Sequence, residues 1–344
     1  VSGVSAVEPI MRMTGEVTVR NAPAPARTSA AVRFLPGTAR NITVTNVAGN
    51  GIYMNKVNSA LTVTGTITID NAKGHGLSCM GGSVSAANMT IQNISTKNGI
   101  ESTGIFTVTN TLQVKNVTKG YGIHFKGGIL RANSILVDTV SANVGIYLEG
   151  SASLHSYDLT VKNINHQGIQ AQHANTIEVQ SLTLKNITKN GVRLYNNNSN
   201  PTVTIGTVVA SDITEYAIAA QKQLTSSNLS IGTIYYVNCA KGALHGNIKS
   251  GVGQIINDLP AEATASAPYF ALFQYIHPCH AVAAEQRHRL GAELLTHLPE
   301  RNPLRRAQMG HQVLVEPIAL GEQLLLEAKL PPRGITLHRI ERPT

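Results

Sequence analysis

Ile91-Gln92-Asn93-Ile94, then Gly99-Ile100; Val114-Lys115-Asn116-Val117, then Gly122-Ile123: these two stretches speak one phrase twice. The phrase is a β-branched residue, any residue, Asn, a small apolar residue, a short polar run, Gly and an apolar residue. Upstream it reads Val44-Thr45-Asn46-Val47 with Gly51-Ile52, and Ile69-Asp70-Asn71-Ala72 with Gly76-Leu77. Downstream it reads Val137-Asp138-Thr139-Val140 with Gly145-Ile146, where Thr replaces Asn. Val161-Lys162-Asn163-Ile164 with Gly168-Ile169 and Leu184-Lys185-Asn186-Ile187 with Gly191-Val192 follow. Weaker copies stand at Asp212-Ile213 with Ala217-Ile218, at Tyr236-Val237 with Gly242, and at Val19-Arg20-Asn21. The return is about every 24 residues, and a fixed period in this range marks a repeat architecture.

Each repeat is too short and too rich in Val, Ile and Thr for a helix pair. Leu61–Ile69 alternates apolar and polar residues with the period of a strand. Between residues 41 and 258 the only proline is Pro201. Each repeat is therefore expected to be two or three short strands joined by bends, one coil of a solenoid. Asn tolerates the left-handed backbone conformation, so it suits a corner between strands, and its amide can bond the Asn above and below. Asn46, Asn71, Asn93, Asn116, Asn163 and Asn186 form the expected structural ladder. The Gly that follows is expected to supply a second permissive backbone position.

On these residues the chain resembles the right-handed parallel β-helix proteins of pectate-lyase-like architecture, over roughly residues 15–257. The resemblance implies an all-β, right-handed, single-stranded parallel β-helix of about nine or ten coils. At ~4.8 Å per coil, ten coils make a rod of roughly 48 Å. It also implies an inward-facing asparagine ladder, whose buried amides would not serve as glycan acceptors at Asn93-Ile94-Ser95, Asn116-Val117-Thr118 or Asn186-Ile187-Thr188. In character the chain is closest to bacterial surface adhesins and autotransporter passengers. The architecture also hosts lyases, hydrolases and phage tailspikes, so it does not by itself give a function.

Composition changes near residue 258. Residues 41–258 hold 12 Lys, 2 Arg and 26 Asn; residues 259–344 hold 1 Lys, 8 Arg, 1 Asn, 6 His and 9 Pro. The expected division is a β-helix over 1–258, with its first ~15 residues unassigned, and a distinct tail over 259–344. Three accounts of the tail compete: a small module, with a helix-like stretch Ala281–Leu298 and strands at Val313–Val315, Leu324–Leu326 and Ile335–Leu337; a cap over the last coil; or sequence foreign to the protein. The chain begins at Val1, as a fragment or processed form does, and a signal peptide would lie ahead of it. Low charge with abundant Asn, Thr, Ser and Gly suits an extracellular or cell-surface protein. No apolar run of membrane-spanning length occurs.

The net charge of +9 does not read as a nucleic-acid footprint. Lys115, Asp138 and Lys162 fall in one column and alternate in sign, and Lys126 and Glu149 are expected to pair in another. Cys79 and Cys239 lie six or seven coils apart, on the order of 30 Å, too far for a disulfide. Gly74-His75-Gly76 matches a short motif of polygalacturonase-type hydrolases, but their adjacent aspartates and Arg-x-Lys are missing, and His75 reads as a variable turn residue. Nine carboxylates between 41 and 258 are too scattered for a calcium-dependent lyase site. His277-x-Cys279-His280 with His288 lacks the second ligand pair of a zinc site. No metal and no cofactor are expected.

The column two residues after each repeat Gly runs Tyr53, Ser78, Glu101, His124, Tyr147, Gln170, Arg193 and Ala219. Its apolar predecessors should face in, so this column should face out as a solvated face. Glu101 and His124 are the catalytic candidates, as neighbours able to share a proton; Tyr53, Tyr147 and Arg193 are the binding candidates. The expected function is a non-catalytic rod for adhesion, contacting polysaccharide or host-surface glycan. The alternative is a carbohydrate-active enzyme, a polysaccharide lyase or glycoside hydrolase. A deep groove beside the column favours the enzyme and a smooth rod favours the adhesin.

Overall fold

The computed structural model describes residues 16–20, 30–33, 37–55, 59–173, 175–195, 199–260, 318–320 and 323–325. The chain divides into two compact units, Val1–Thr264 and Ala265–Thr344. In the second, Ile318–Leu320 pairs antiparallel with Gln323–Leu325. The helix expected at Ala281–Leu298, the strands at Val313–Val315 and Ile335–Leu337 and the His277/Cys279/His280/His288 group lie outside the described residues, as does Asn21.

The first unit is an all-β parallel solenoid of about nine turns, with no helix among the described residues. Each turn gives one long strand to a 12-stranded sheet and one short strand to a 10-stranded sheet. Ser83–Ile94, Ile105–Val117, Ile129–Val140 and Ser153–Ile164 are successive long strands; Leu77–Cys79, Ile100–Ser102, Ile123–Phe125 and Ile146–Leu148 are successive short ones. All stack in parallel, residue over equivalent residue.

The long strands bend in the middle. In Ser83–Ile94 the inward residues are Val84 and Ala86, then Met89 and Ile91, so two outward residues intervene instead of one. The strands Ala60–Ala72 and Ile105–Val117 carry one further outward residue at the bend, which shifts the register between Val63 and Thr66 and between Val108 and Thr111. The repeat is thus three straight segments, with period-two burial in each. The core is a set of files along the axis, such as Ile69, Ile91, Val114, Val137, Val161 and Leu184, all essentially inaccessible to water. Burying each such side chain contributes about 1.5–3 kcal/mol.

The corner asparagines stand in one file and share one conformation. Asn46, Asn71, Asn93, Asn116, Asn163, Asn186 and Asn238 have φ of 53–58°, and Thr139 and Asp212 keep the same twist at 61° and 57°. This left-handed residue lets Ile94, for example, point inward only three residues after Ile91. The ladder, however, is exposed, not inward. A left-handed corner turns its own side chain out of the coil while flipping the next residue in. The amides still bond along the axis: Asn71 Nδ2 donates to Asn46 Oδ1 at 2.8 Å, Asn116 to Asn93 at 2.9 Å and Asn186 to Asn163 at 2.9 Å. Two links pass through a neighbouring carboxylate instead. Asn93 donates to Asp70 and Asn163 to Asp138, each at 2.7 Å. Burial therefore gives no reason to exclude these amides as glycan acceptors.

The repeat glycines also have a different reason from the expected one. None of Gly51, Gly76, Gly99, Gly122, Gly145, Gly168 and Gly191 has a positive φ. A β-carbon on Gly145 would fall 2.6 Å from the Gly168 carbonyl oxygen and 2.9 Å from a Val161 methyl; on Gly191 it would fall 2.5 Å from the Ala217 carbonyl oxygen. In these seven copies the position is reserved for steric fit between adjacent coils, whereas Gly242 in the last, weaker copy has φ 103° and open space around a β-carbon.

Cys79 and Cys239 are buried free thiols, each pushed up to about 11 by burial. In the cross-coil charge column Lys162 Nζ lies 3.4 Å from Asp138.

Candidate functional site

The column after the repeat glycines is in strict register: Tyr53 over Ser78, Ser78 over Glu101, Glu101 over His124, His124 over Tyr147, and on through Gln170, Arg193 and Ala219. It points away from the core but is not a solvated face. Ser78, His124 and Tyr147 are only 2%, 5% and 9% exposed, and Ala219 is fully buried. Turn residues lie over parts of the column: Tyr121 packs against His124 and Tyr147, and His75 against Glu101.

The catalytic candidates are neighbours, but each is engaged elsewhere. Glu101 accepts from His75 Nε2 at 2.8 Å and from Lys126 Nζ at 2.7 Å. His124 Nε2 lies 3.1 Å from Glu149 Oε2. The expected Lys126–Glu149 pair is thus replaced by Lys126–Glu101 and His124–Glu149, because each long side chain reaches the less exposed partner one coil away. The hydrogen bond from His75, reinforced by Lys126 and opposed by burial, holds the Glu101 carboxyl down at about 2. His124 is shifted down, first by burial and further by the charge of Lys126, against the pull of Glu149. Lys126 is shifted up, chiefly by its bond to Glu101.

His75 is the residue that sequence reasoning set aside. It precedes the repeat Gly, in a column with Asn50, Asn98, Tyr121 and Asn190. Asn50, Asn98 and Asn190 are buried, and each turns Oδ1 to a backbone N–H of the next coil: His75 N at 2.8 Å, Tyr121 N at 2.9 Å and Tyr216 N at 3.3 Å. His75 does the same with a ring nitrogen, since Asn98 N donates to its Nδ1 at 3.3 Å. A nitrogen that accepts carries no proton, so in the neutral ring the proton sits on Nε2 and is donated to Glu101. The recurring Asn before Gly was the available signal for this second, hidden column.

Further along, Tyr147 stacks on His124 with centroids 4.7 Å apart, and Tyr121 packs against both at 4.9 and 5.0 Å. The Tyr147 hydroxyl donates to Gln172 Oε1 at 2.6 Å and is pushed up to about 12, first by burial. Arg193 lies over the Tyr195 ring at 5.0 Å, and its Nε is buried without a hydrogen-bond partner. Tyr147 therefore offers little open ring face. Tyr53 lines the more open part of the stripe, a shallow depression of about 420 Å³ that also involves Lys73, His75, Ser78, Lys97 and Glu101.

Among the described residues no group of three His, Cys, Asp or Glu side chains is arranged to hold a metal ion. Among them also, no helix is long and apolar enough to cross a membrane. No family model, no curated protein and no solved structure matches the chain.

Proposed function

We propose that the solenoid is a non-catalytic extracellular or cell-surface rod, of the adhesin kind among β-helix proteins, that contacts polysaccharide or host-surface glycan through its short-sheet side. The observation that carries this reading is the capture of Glu101. A general acid needs a pKa near the working pH. Glu101, held at about 2 by His75 and Lys126, is a permanent anion at neutral pH, and both nitrogens of His75 are already committed. The depression is open and shallow, with Tyr53 and polar side chains at its surface, which suits contact with a chain lying across it better than enclosure of a reacting bond.

The test has two arms on the full chain. A glycan array should give retained ligands, with binding weakened several-fold in Tyr53→Ala. A depolymerisation screen over neutral and acidic polysaccharides should give no products. Cleavage by the native chain that disappears in Glu101→Gln would replace this reading with a lyase or hydrolase.

A further inference from the structure

The turn that follows the asparagine ladder carries lysines in three successive coils. Lys73, Lys97 and Lys119 are all exposed. Lys73 and Lys97 border the shallow depression. Lys119 belongs to the next coil, whose Gly120 sits directly against the backbone of Lys97 and Asn98. Coils rise by about 4.8 Å, so the three ammonium groups share one short ridge. Among the described residues no carboxylate stands within ion-pair distance of any of them. Glu101, the acidic residue of the depression, is already paired with Lys126.

The same turn in later coils is arranged differently. There Lys241 Nζ meets Glu215 at 3.1 Å, and Lys189 Nζ meets His166 Nε2 at 2.9 Å. The fold can thus set a carboxylate against a turn lysine, as at Lys241, and among the described residues it does not do so at Lys73, Lys97 or Lys119. Three like charges at the rim of the depression favour an anion there over a cation.

A Lys ammonium is a compact point charge that pairs with carboxylate, sulfate and phosphate oxygens alike, as Lys126 does with Glu101. Residues 41–258 hold 12 Lys against 2 Arg, and neither Arg131 nor Arg193 lies in this turn. We infer that the Lys73–Lys97–Lys119 ridge binds the anionic groups of a linear acidic polysaccharide whose sugars run over the adjacent depression. This rests on the glycan-contact reading and names the class of glycan.

Binding of the full chain to dextran sulfate, a phosphorylated mannan and hyaluronate is measured across a salt series; the three probes separate sulfate, phosphate and carboxylate sources. Uncharged dextran and duplex DNA are run alongside. At least one acidic polysaccharide should bind and weaken with salt. Lys73→Gln/Lys97→Gln/Lys119→Gln should lower its affinity tenfold or more and flatten the logarithmic salt dependence by about two units through fewer released counterions. Lys115→Gln/Lys185→Gln/Lys249→Gln, with the same loss of charge, should change affinity less than twofold. Equal losses in the two triples, equally tight DNA, or no binding of any of the three acidic polysaccharides at low salt would overturn the ridge. Retention of uncharged dextran as tight as that of the acidic polymers, with both unaffected by the first triple, would overturn the ridge and leave the glycan-contact reading standing. Cleavage products would sink that reading instead.

Discussion

The chain uses asparagine in two parallel files that do opposite things. In the corner file, Asn71, Asn93 and Asn116 are exposed and left-handed, and what matters most is the backbone conformation. In the turn file, Asn50, Asn98 and Asn190 are buried without a positive φ, and what matters is a side-chain oxygen facing a backbone N–H of the next coil. One residue type thus solves two problems a solenoid must solve on every turn: how to change direction, and how to satisfy backbone donors where no strand pairing reaches. Glycine can take over the first task and not the second.

That contrast can be broken by experiment, most sharply in the buried file. Asn98→Gly leaves the Tyr121 N–H without its acceptor and should destabilise by about 1–3 kcal/mol in chemical denaturation. A loss no larger than that of the matching corner variant would dissolve the distinction. Next in size is the one corner that departs from the rule. Thr139 is β-branched at φ 61°, a conformation such residues rarely adopt. Thr139→Asn should therefore raise stability by about 1 kcal/mol, read as a higher denaturation midpoint. Asn116→Gly keeps the corner and loses an exposed amide bond to Asn93, so less than about 1 kcal/mol is expected.

The remaining test is a pH dependence, and it sharpens the role of His75 as a member of the turn file. Glu101 has its pKa lowered from 4.5 to about 2 in the folded chain. A depressed carboxyl contributes stability that is present above the unfolded value and lost as pH falls through the folded one. The deficit of Glu101→Gln relative to the native chain should be full above about pH 4.5 and fade toward about pH 2. A pH-independent deficit would mean that packing, not charge, is what Glu101 provides.

Much of the fold was legible because a solenoid repeats one local decision. The left-handed corner could be read from Asn followed by an apolar residue, and the inward files from the β-branched positions around it. The direction of the corner side chain could not, since residues 91–94 must leave two outward residues between Ile91 and Ile94, and only the folded coil shows that Asn93 is one of them. The glycines were read as flexible when they are instead crowded by the next coil, and crowding is a property of two coils together. At the candidate site the register of Glu101 over His124 was accessible from spacing alone. The partners His75, Lys126 and Glu149 were not, because each reaches them from a turn, along directions that the period does not specify.

Sequence by itself determined the period, the left-handed corner at each Asn and the identity of the core files, because each depends on residues close together in one coil or on exact recurrence between coils. The stacked structure alone decided that the corner ladder faces water, that a second asparagine file is buried, and that Glu101 belongs to His75 and Lys126. Those outcomes depend on which long polar side chains meet across a rung of about 4.8 Å and on their access to solvent.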